Sequence, residues 1–113
     1  MASILVVDDE PAICSFIEFE ANELGHKVFN AYNGLDAKEI LQKENIELVI
    51  SDVLMPKLDG IELLKYVKSE HPEIETFLLI SGFTTLTKAK AMGLGATDIL
   101  EKPIDFTRLH RYL

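Results

Sequence analysis

The chain has 113 residues, the length of one domain, which leaves no room for a second independent core. Its residues are 48% hydrophobic and 27% charged, so it has enough apolar side chains for a packed interior and lacks the composition of a disordered segment. The net charge of −8 repels phosphate backbones and anionic headgroups, so we expect no direct binding to nucleic acid or to membranes. The single cysteine, Cys14, excludes an internal disulfide, and we expect a buried thiol in a cytoplasmic protein.

Short apolar runs alternate along the chain with stretches of helical period, which predicts the order βαβαβαβαβα. The predicted strands are Ile4–Val7, Lys27–Ala31, Leu48–Ser51, Phe77–Ser81 and Thr97–Leu100. The first, third and fourth are almost continuously apolar, which is typical of interior parallel strands that are covered on both faces. We therefore predict a parallel sheet with helices on both faces and ligands beyond the carboxyl ends of the strands.

Five helices are predicted between and after these strands. The first begins near Pro11 and ends at Gly25, and the second begins at Asn33 and Gly34. The third spans about 60–69 and the fourth about 84–92, while the last is short and spans 106–113. The residues expected to face the core of the first three are Ile13, Phe16, Ile17, Ala21 and Leu24, then Leu35, Ile40 and Leu41, then Ile61, Leu64 and Val67.

Side chains capable of chemistry lie at the carboxyl ends of four predicted strands. They are Asp8, Asp9 and Glu10 after the first strand, Asp52 after the third, Ser81 and Gly82 at the end of the fourth, and Lys102 and Pro103 after the fifth. Taken singly, Asp8 or Asp9 is equally well explained by a helix N-cap, and Asp52 by a turn cap. If the first and third strands are neighbours, however, the three carboxylates share one pocket, which is unfavourable without a cation or a proton.

This group of residues favours binding of a metal and a phosphoryl group. A site with few carboxylates and open positions for water and phosphate is typical of Mg²⁺. Lys102 and Ser81 would offer an ammonium and a hydroxyl donor to an anion on the opposite side. Since a carboxylate can attack phosphorus as a covalent nucleophile, we predict that Asp52 accepts a phosphoryl group.

The same residues make the chain resemble, over essentially its whole length, the receiver domain of two-component response regulators. The matching motifs are the run from Ile4 to Pro11, the run from Asp52 to Pro56, the pairs Asp59-Gly60 and Ser81-Gly82, and the pair Lys102-Pro103. The resemblance implies a flavodoxin-like, doubly wound α/β fold with three layers and a five-stranded sheet of order 2-1-3-4-5. It also implies one receiver domain over 1–113, with a histidine kinase or a phosphotransfer protein as phosphoryl donor and an output domain or downstream protein as target.

For the site, the resemblance implies that Mg²⁺ is held by Asp9, Asp52 and the backbone carbonyl of Leu54, with Asp8 acting mainly through a water. Phosphoryl oxygens would be bound by Lys102, by the Ser81 hydroxyl and by the backbone amides of Val53 and Gly82. The peptide bond before Pro103 is expected to be cis. Such a domain is not an enzyme in the usual sense, because it phosphorylates itself from a donor and loses the phosphate slowly.

Two features, Ile99 and the short last helix, depart from the family's usual pattern, and Leu54 and Phe83 bear on the lifetime of the phosphate. Ile99 replaces an aromatic residue, so we expect it to pack in the core while Ser81 still responds to phosphorylation. Leu54 and Phe83 are bulky and apolar, and either they shield the aspartyl phosphate from water or they are ordinary loop residues. The short last helix suggests a receiver excised from a longer protein, with a compact stand-alone receiver as the alternative.

Three other functions compete with this interpretation. A flavin- or nucleotide-binding protein of similar topology would need a donor-rich backbone after the first strand, where Asp8, Asp9 and Glu10 would repel a phosphate. A phosphatase with an aspartate nucleophile typically has a second acid where this chain has Leu54, which counts against turnover. A receiver that acts only as a phosphorylation-independent docking module is the strongest alternative, because Ile99 and the weak fourth helix alter the usual switch. The loss of a pocket acid or of the lysine would indicate such a module, and neither is lost here.

Overall fold

The computed structural model describes residues 2–82 and 86–113. Its strands form one parallel sheet in the order β2-β1-β3-β4-β5, as expected, with the three most apolar strands in the interior. The strands are β1 (Ser3–Val7), β2 (Lys27–Ala31), β3 (Leu48–Asp52), β4 (Thr76–Ser81) and β5 (Asp98–Glu101). Within the described residues the helices are α1 (Pro11–Glu23), α2 (Gly34–Lys43), α3 (Gly60–Glu70), α4 (Lys88–Gly93) and α5 (Phe106–His110).

The alternating side chains of the interior strands fill two separate cores, one on each face of the sheet. In β1, Ile4 and Val6 pack with α1 and α5, whereas Leu5 and Val7 pack with α2, α3 and α4. Cys14 is buried in the first of these cores, as expected, beside Ile17 and Ala21 of the same helix. The result is the predicted three-layer α/β architecture.

Local sequence signals set the helix starts. Pro11 occupies the first turn of α1, where its missing N–H costs no helical bond. The Asn33 side chain accepts a hydrogen bond from the Asp36 amide at the start of α2. Asp59 and Glu62 form a reciprocal capping box at the start of α3. These caps place the first turns of α2 and α3 at the carboxyl edge of the sheet.

Several details of the sequence prediction are wrong. Phe16 and Leu24 of α1 and Leu35 of α2 are exposed, because their positions turn away from the sheet while Cys14 and Ala37 face it. The fourth helix begins at Lys88, where the Thr87 hydroxyl caps the Lys90 amide, so Leu86 lies before the helix. The earlier part of the predicted segment, 84–85, lies outside the described residues.

The last helix is shorter than predicted. It ends at His110, and Tyr112 and Leu113 follow as a turn whose apolar side chains pack on the core that α1 covers. In the part of the chain that the structure describes, no helix has both the length and the apolar character needed to cross a membrane.

Candidate functional site

The sheet register brings the predicted acidic residues together. Val7 pairs with Ser51, so continuing the β1–β3 register by one residue places Asp8 next to Asp52. Both carboxylates are buried, and Asp8 has no accessible surface. A pocket of about 440 Å³ opens beside them and is lined by Asp9, Glu10, Asp52, Leu54, Gly82 and Lys102. Ser81, at the end of β4, is also buried.

Lys102 reaches across this edge from the opposite side of the pocket. Its Nζ lies 2.8 Å from Glu10 Oε1, 3.2 Å from Asp8 Oδ2 and 3.3 Å from Asp52 Oδ2. The contacts with Glu10 and Asp52 are hydrogen bonds that the ammonium donates. One ammonium group therefore faces three carboxylates, which leaves the cluster with an excess of negative charge.

The pKa values reflect this imbalance. Burial raises the pKa of both Asp8 and Asp52 because it penalises the charged form, and Lys102 only partly opposes that effect. The carboxylates also act on each other, since the charge of Asp52 raises the pKa of Asp8 further. Burial alone would lower the pKa of Lys102, but its bond to Glu10 and the charges of Asp52 and Asp8 raise it. The site thus favours a bound cation.

The acidic residues fit a hard divalent cation. Carboxylate oxygens of Asp8, Glu10 and Asp52 lie within 4.8 Å of one another. Asp8 Oδ2 is fully buried and has no hydrogen-bond partner within the described part of the chain, although Lys102 is at ion-pair distance. A buried carboxylate oxygen without a hydrogen bond is costly, and a metal ion or a metal-bound water would satisfy it. Asp9 lines the pocket but is not in this close group.

Backbone hydrogen bonds fix the residues around the Asp52 carboxylate. The Val53 amide donates to the Ile80 carbonyl at 2.9 Å, which extends the β3–β4 pairing beyond Asp52. A phosphoryl oxygen would compete with that carbonyl for the Val53 donor. The Lys102 amide donates to the Ser81 carbonyl at 2.8 Å, and the peptide bond between Lys102 and Pro103 is cis, as expected.

Gly60 holds the first turn of α3 against the end of β3. Its amide donates to the Val53 carbonyl at 2.9 Å. A Cβ atom at this position would lie 2.1 Å from the Asp52 carbonyl oxygen, so only glycine permits this approach. The sequence predicts Gly60 as a helix start and Glu10 as a residue at a strand end, and both lie in motifs of the family, but neither contact was predicted. The adjacency of Glu10 to Asp8 and Asp9 was the available signal for its contact with Lys102.

A second charged cluster was missed entirely from the sequence. Asp98, buried at the start of β5, accepts hydrogen bonds from Arg108 Nη2 at 3.0 Å and from the Tyr112 hydroxyl at 2.7 Å. Its other oxygen accepts from the Ile99 amide at 2.8 Å and lies 3.6 Å from Lys88 Nζ. These contacts join α4, β5 and α5. Burial would raise the pKa of Asp98, but the hydrogen bonds from Tyr112, the Ile99 amide and Arg108 outweigh it and lower the pKa.

Two further expectations concern Ile99 and the predicted apolar shield formed by Leu54 and Phe83. Ile99 is buried in the core that contains α2, α3 and α4, so it packs as predicted for the residue that replaces an aromatic side chain. Phe83, the other half of the predicted apolar shield, lies outside the described residues. Leu54 is exposed at the mouth of the pocket.

A doubly wound α/β fold with buried carboxylates and a lysine at the carboxyl edge of the sheet defines a class of domains that bind their ligands at that edge. Consistent with that class, residues 4–113 match the model of the response regulator receiver domain family. The chain belongs to this family, the receiver domains of two-component systems, as its motifs implied.

Similar proteins and structures support the assignment. The chain is 37% identical over 106 residues to the transcriptional regulatory protein ZraR of Klebsiella oxytoca, covering 94% of the chain and 24% of that protein. The ZraR of Salmonella typhimurium is 36% identical over 97% of the chain and 25% of its own length. The chain thus spans about a quarter of the length of these curated relatives.

Solved structures agree with the fold. The receiver domain of the Francisella response regulator 1452 has a TM-score of 0.89 and 28% identity, over 99% of this chain and 93% of that one. The receiver domain of NtrX from Brucella abortus has a TM-score of 0.87 and 33% identity, over 96% and 92% of the two chains. The family is a signalling family and not a class of conventional enzymes.

Proposed function

We propose that this receiver domain is a phosphoacceptor in which Asp52 takes a phosphoryl group from a phosphohistidine. The observation that carries the proposal is the position of the Asp52 carboxylate, buried beside Asp8, 3.3 Å from the Lys102 ammonium and at the wall of an open pocket. The donor is a sensor histidine kinase or a phosphotransfer protein in the cytoplasm. The target is an output domain or a downstream protein.

The chemistry is a substitution at phosphorus. A carboxylate oxygen of Asp52 attacks the phosphorus atom, a P–O bond forms and the P–N bond to the donor histidine breaks, while the departing imidazole takes a proton from solvent. Attack by water later breaks the P–O bond, which regenerates the aspartate and releases phosphate. The negative charge that spreads over the phosphoryl oxygens requires positively charged or hydrogen-bonding partners.

The pocket residues have distinct roles in this proposal. Lys102 pairs with phosphoryl oxygens, and the Ser81 hydroxyl and the backbone amides of Val53 and Gly82 donate hydrogen bonds to them. Mg²⁺ would be held by Asp9, Asp52 and the Leu54 carbonyl, with Asp8 acting mainly through a water. When bound, the cation supplies positive charge to the phosphoryl oxygens and offsets the excess of carboxylates.

Intact-mass spectrometry after incubation with Mg²⁺ and acetyl phosphate tests the proposal. We expect a single phosphoryl adduct that is lost in Asp52→Asn and when a chelator removes the metal. Asp36→Asn is the matched control, because it removes an exposed carboxyl group from α2 and should leave the adduct intact. If no adduct forms with acetyl phosphate or with a phosphohistidine donor, the domain acts as a docking module without phosphorylation.

Leu54 supports a further part of the proposal, a slow loss of phosphate. Its exposed apolar side chain lies at the mouth of the pocket, where it hinders the approach of water to the aspartyl phosphate. We expect faster phosphate loss from Leu54→Gln than from Leu35→Gln, which changes an exposed leucine of α2. Equal decay of the two adducts would show that Leu54 is not a shield.

A further inference from the structure

The Glu10 side chain makes the shortest contact of the Lys102 ammonium. Nζ lies 2.8 Å from Glu10, compared with 3.2 Å from Asp8 and 3.3 Å from Asp52. The partners also differ in exposure, because the Glu10 side chain is 60% exposed while those of Asp8 and Asp52 are 0% and 8% exposed. The tightest partner of the lysine is therefore the one that can move most freely into solvent.

Glu10 is placed for this contact by its backbone. It occupies the N-cap position of α1, yet its side chain makes no capping hydrogen bond. The Glu10 amide instead donates to Asp8 Oδ1 at 2.9 Å, which holds the residue above the acidic cluster. The Glu10 carboxylate therefore bonds to Lys102 and does not cap the helix.

From these contacts we propose that Glu10 is a positioning residue that competes with phosphoryl oxygens on Asp52 for the Lys102 ammonium. The inference rests on the proposed phosphoacceptor function and adds a residue that sets the affinity of the site for a phosphoryl group. An ammonium has three N–H donors, and here it donates hydrogen bonds to Glu10 and Asp52 while Asp8 lies at ion-pair distance. Phosphoryl oxygens can therefore bind the Lys102 ammonium at full strength only when one of these carboxylates breaks its contact with it.

The exposure of the three partners identifies the one that is released. Asp8 is fully buried, and Asp52 bears the phosphoryl group itself. The free-energy cost of breaking the contact with Lys102 is smallest for Glu10, because solvent can hydrate its carboxylate. Its negative charge opposes phosphoryl binding for as long as it holds the lysine. Removal of that charge should therefore strengthen phosphoryl binding and not weaken it.

A second role for Glu10, as a ligand of the divalent cation, predicts the opposite result. Its carboxylate lies in the same close group as those of Asp8 and Asp52. A ligand replaced by an amide would lower the affinity for the metal and, with it, the affinity for the phosphoryl group. The sign of the change in Glu10→Gln thus separates the two roles.

Titration with beryllofluoride at saturating Mg²⁺, monitored by ¹⁹F NMR, tests the inference. This anion can bind to a carboxylate oxygen as an analogue of a phosphoryl group. We expect Glu10→Gln to bind it about threefold to fivefold more tightly than wild type, the range of an ion pair with one exposed partner. Glu101→Gln is the matched control, because it removes an equal charge next to Lys102 from a side chain that makes no ion pair with that lysine within the described residues. Its affinity should equal that of wild type.

The ¹³Cε resonance of Lys102 gives a readout that a general effect on folding would not move. Without beryllofluoride, it should shift in Glu10→Gln and stay in place in Glu101→Gln, with equal melting temperatures for all three proteins. Unchanged or weaker binding by Glu10→Gln, or an equal gain in Glu101→Gln, would overturn the inference. Asp52→Asn is expected not to bind beryllofluoride. If wild type also fails to bind it, the phosphoacceptor function on which the inference rests is refuted.

Discussion

Asp52 and Asp98 are buried to the same extent, with 5% of each residue exposed, but their surroundings differ in charge. Asp52 shares a single lysine with two other carboxylates. Asp98 pairs with both Arg108 and Lys88 and accepts further hydrogen bonds from Tyr112 and a backbone amide. Burial raises the pKa of Asp52, whereas the partners of Asp98 lower its pKa despite burial.

The difference separates a carboxylate that stabilises the fold from one that is available for chemistry. The Asp98 carboxylate joins three elements and is satisfied within the protein. The charge of the Asp52 carboxylate is only partly compensated by the described residues, so the binding of a cation beside it is favourable. Each prediction below changes one side of this comparison.

The largest effect is expected at Asp98. Asp98→Ala leaves Arg108, Tyr112 and the Ile99 amide without their acceptor, which should lower the free energy of unfolding by about 3 kcal/mol. Because the pKa of Asp98 is lowered from 3.8, its contribution is present above that pH and is lost as the pH falls below it. Thermal unfolding at pH 7 and at pH 3 should therefore show a large difference from wild type that shrinks in acid.

Tyr112→Phe is the control for this prediction. It removes one hydrogen bond to Asp98 and leaves the ion pair with Arg108, so it should lower the free energy of unfolding by about 1 kcal/mol. An Asp98→Ala protein as stable as Tyr112→Phe would show that the carboxylate does not hold the three elements together.

A somewhat smaller effect is expected from Mg²⁺. At a concentration one hundredfold above its Kd, a ligand that binds only the folded protein stabilises it by about 2.7 kcal/mol. Wild type and Tyr112→Phe should both melt at higher temperature with Mg²⁺, because the substitution at Tyr112 does not touch the acidic pocket. Asp52→Asn should respond much less. An equal response in Asp52→Asn would mean that the cation binds elsewhere.

The smallest effect has the opposite sign to that at Asp98. Without metal at pH 7, Asp52→Asn should raise the free energy of unfolding by about 1 kcal/mol, since it removes a buried carboxylate and leaves Lys102 paired with Asp8 and Glu10. Chemical denaturation checks this. A loss of stability would show that the ion pair with Lys102 already compensates Asp52 fully.

Most of the fold follows from the sequence because interior parallel strands must be apolar on both faces. The five strands lie within one residue of their predicted bounds, and the order of the sheet follows from the family's motifs. The helical faces were predicted less well. Phe16 and Leu35 are apolar but exposed, since a short amphipathic pattern does not define which side of a helix meets the sheet.

The candidate site was predictable where residues lie at strand ends. Asp8, Asp52 and Lys102 meet because parallel strands bring their carboxyl ends to one edge. The contact between Glu10 and Lys102 depends on side-chain direction, which strand order does not specify. The Asp98 cluster depends on how α5 packs, and its residues are spread over 88–112 without a recognisable motif. The close approach of Gly60 to Asp52 is likewise a property of the packed loop.

The hydrogen bond from the Lys102 amide to the Ser81 carbonyl ties together the main chains of two residues at the carboxyl ends of the neighbouring strands β4 and β5. Neither main chain can be displaced alone without breaking that bond. A rearrangement of Ser81 on the microsecond to millisecond timescale would therefore carry the base of the lysine side chain with it. The main-chain positions from which the Ser81 hydroxyl and the Lys102 ammonium extend are thus coupled by one backbone hydrogen bond.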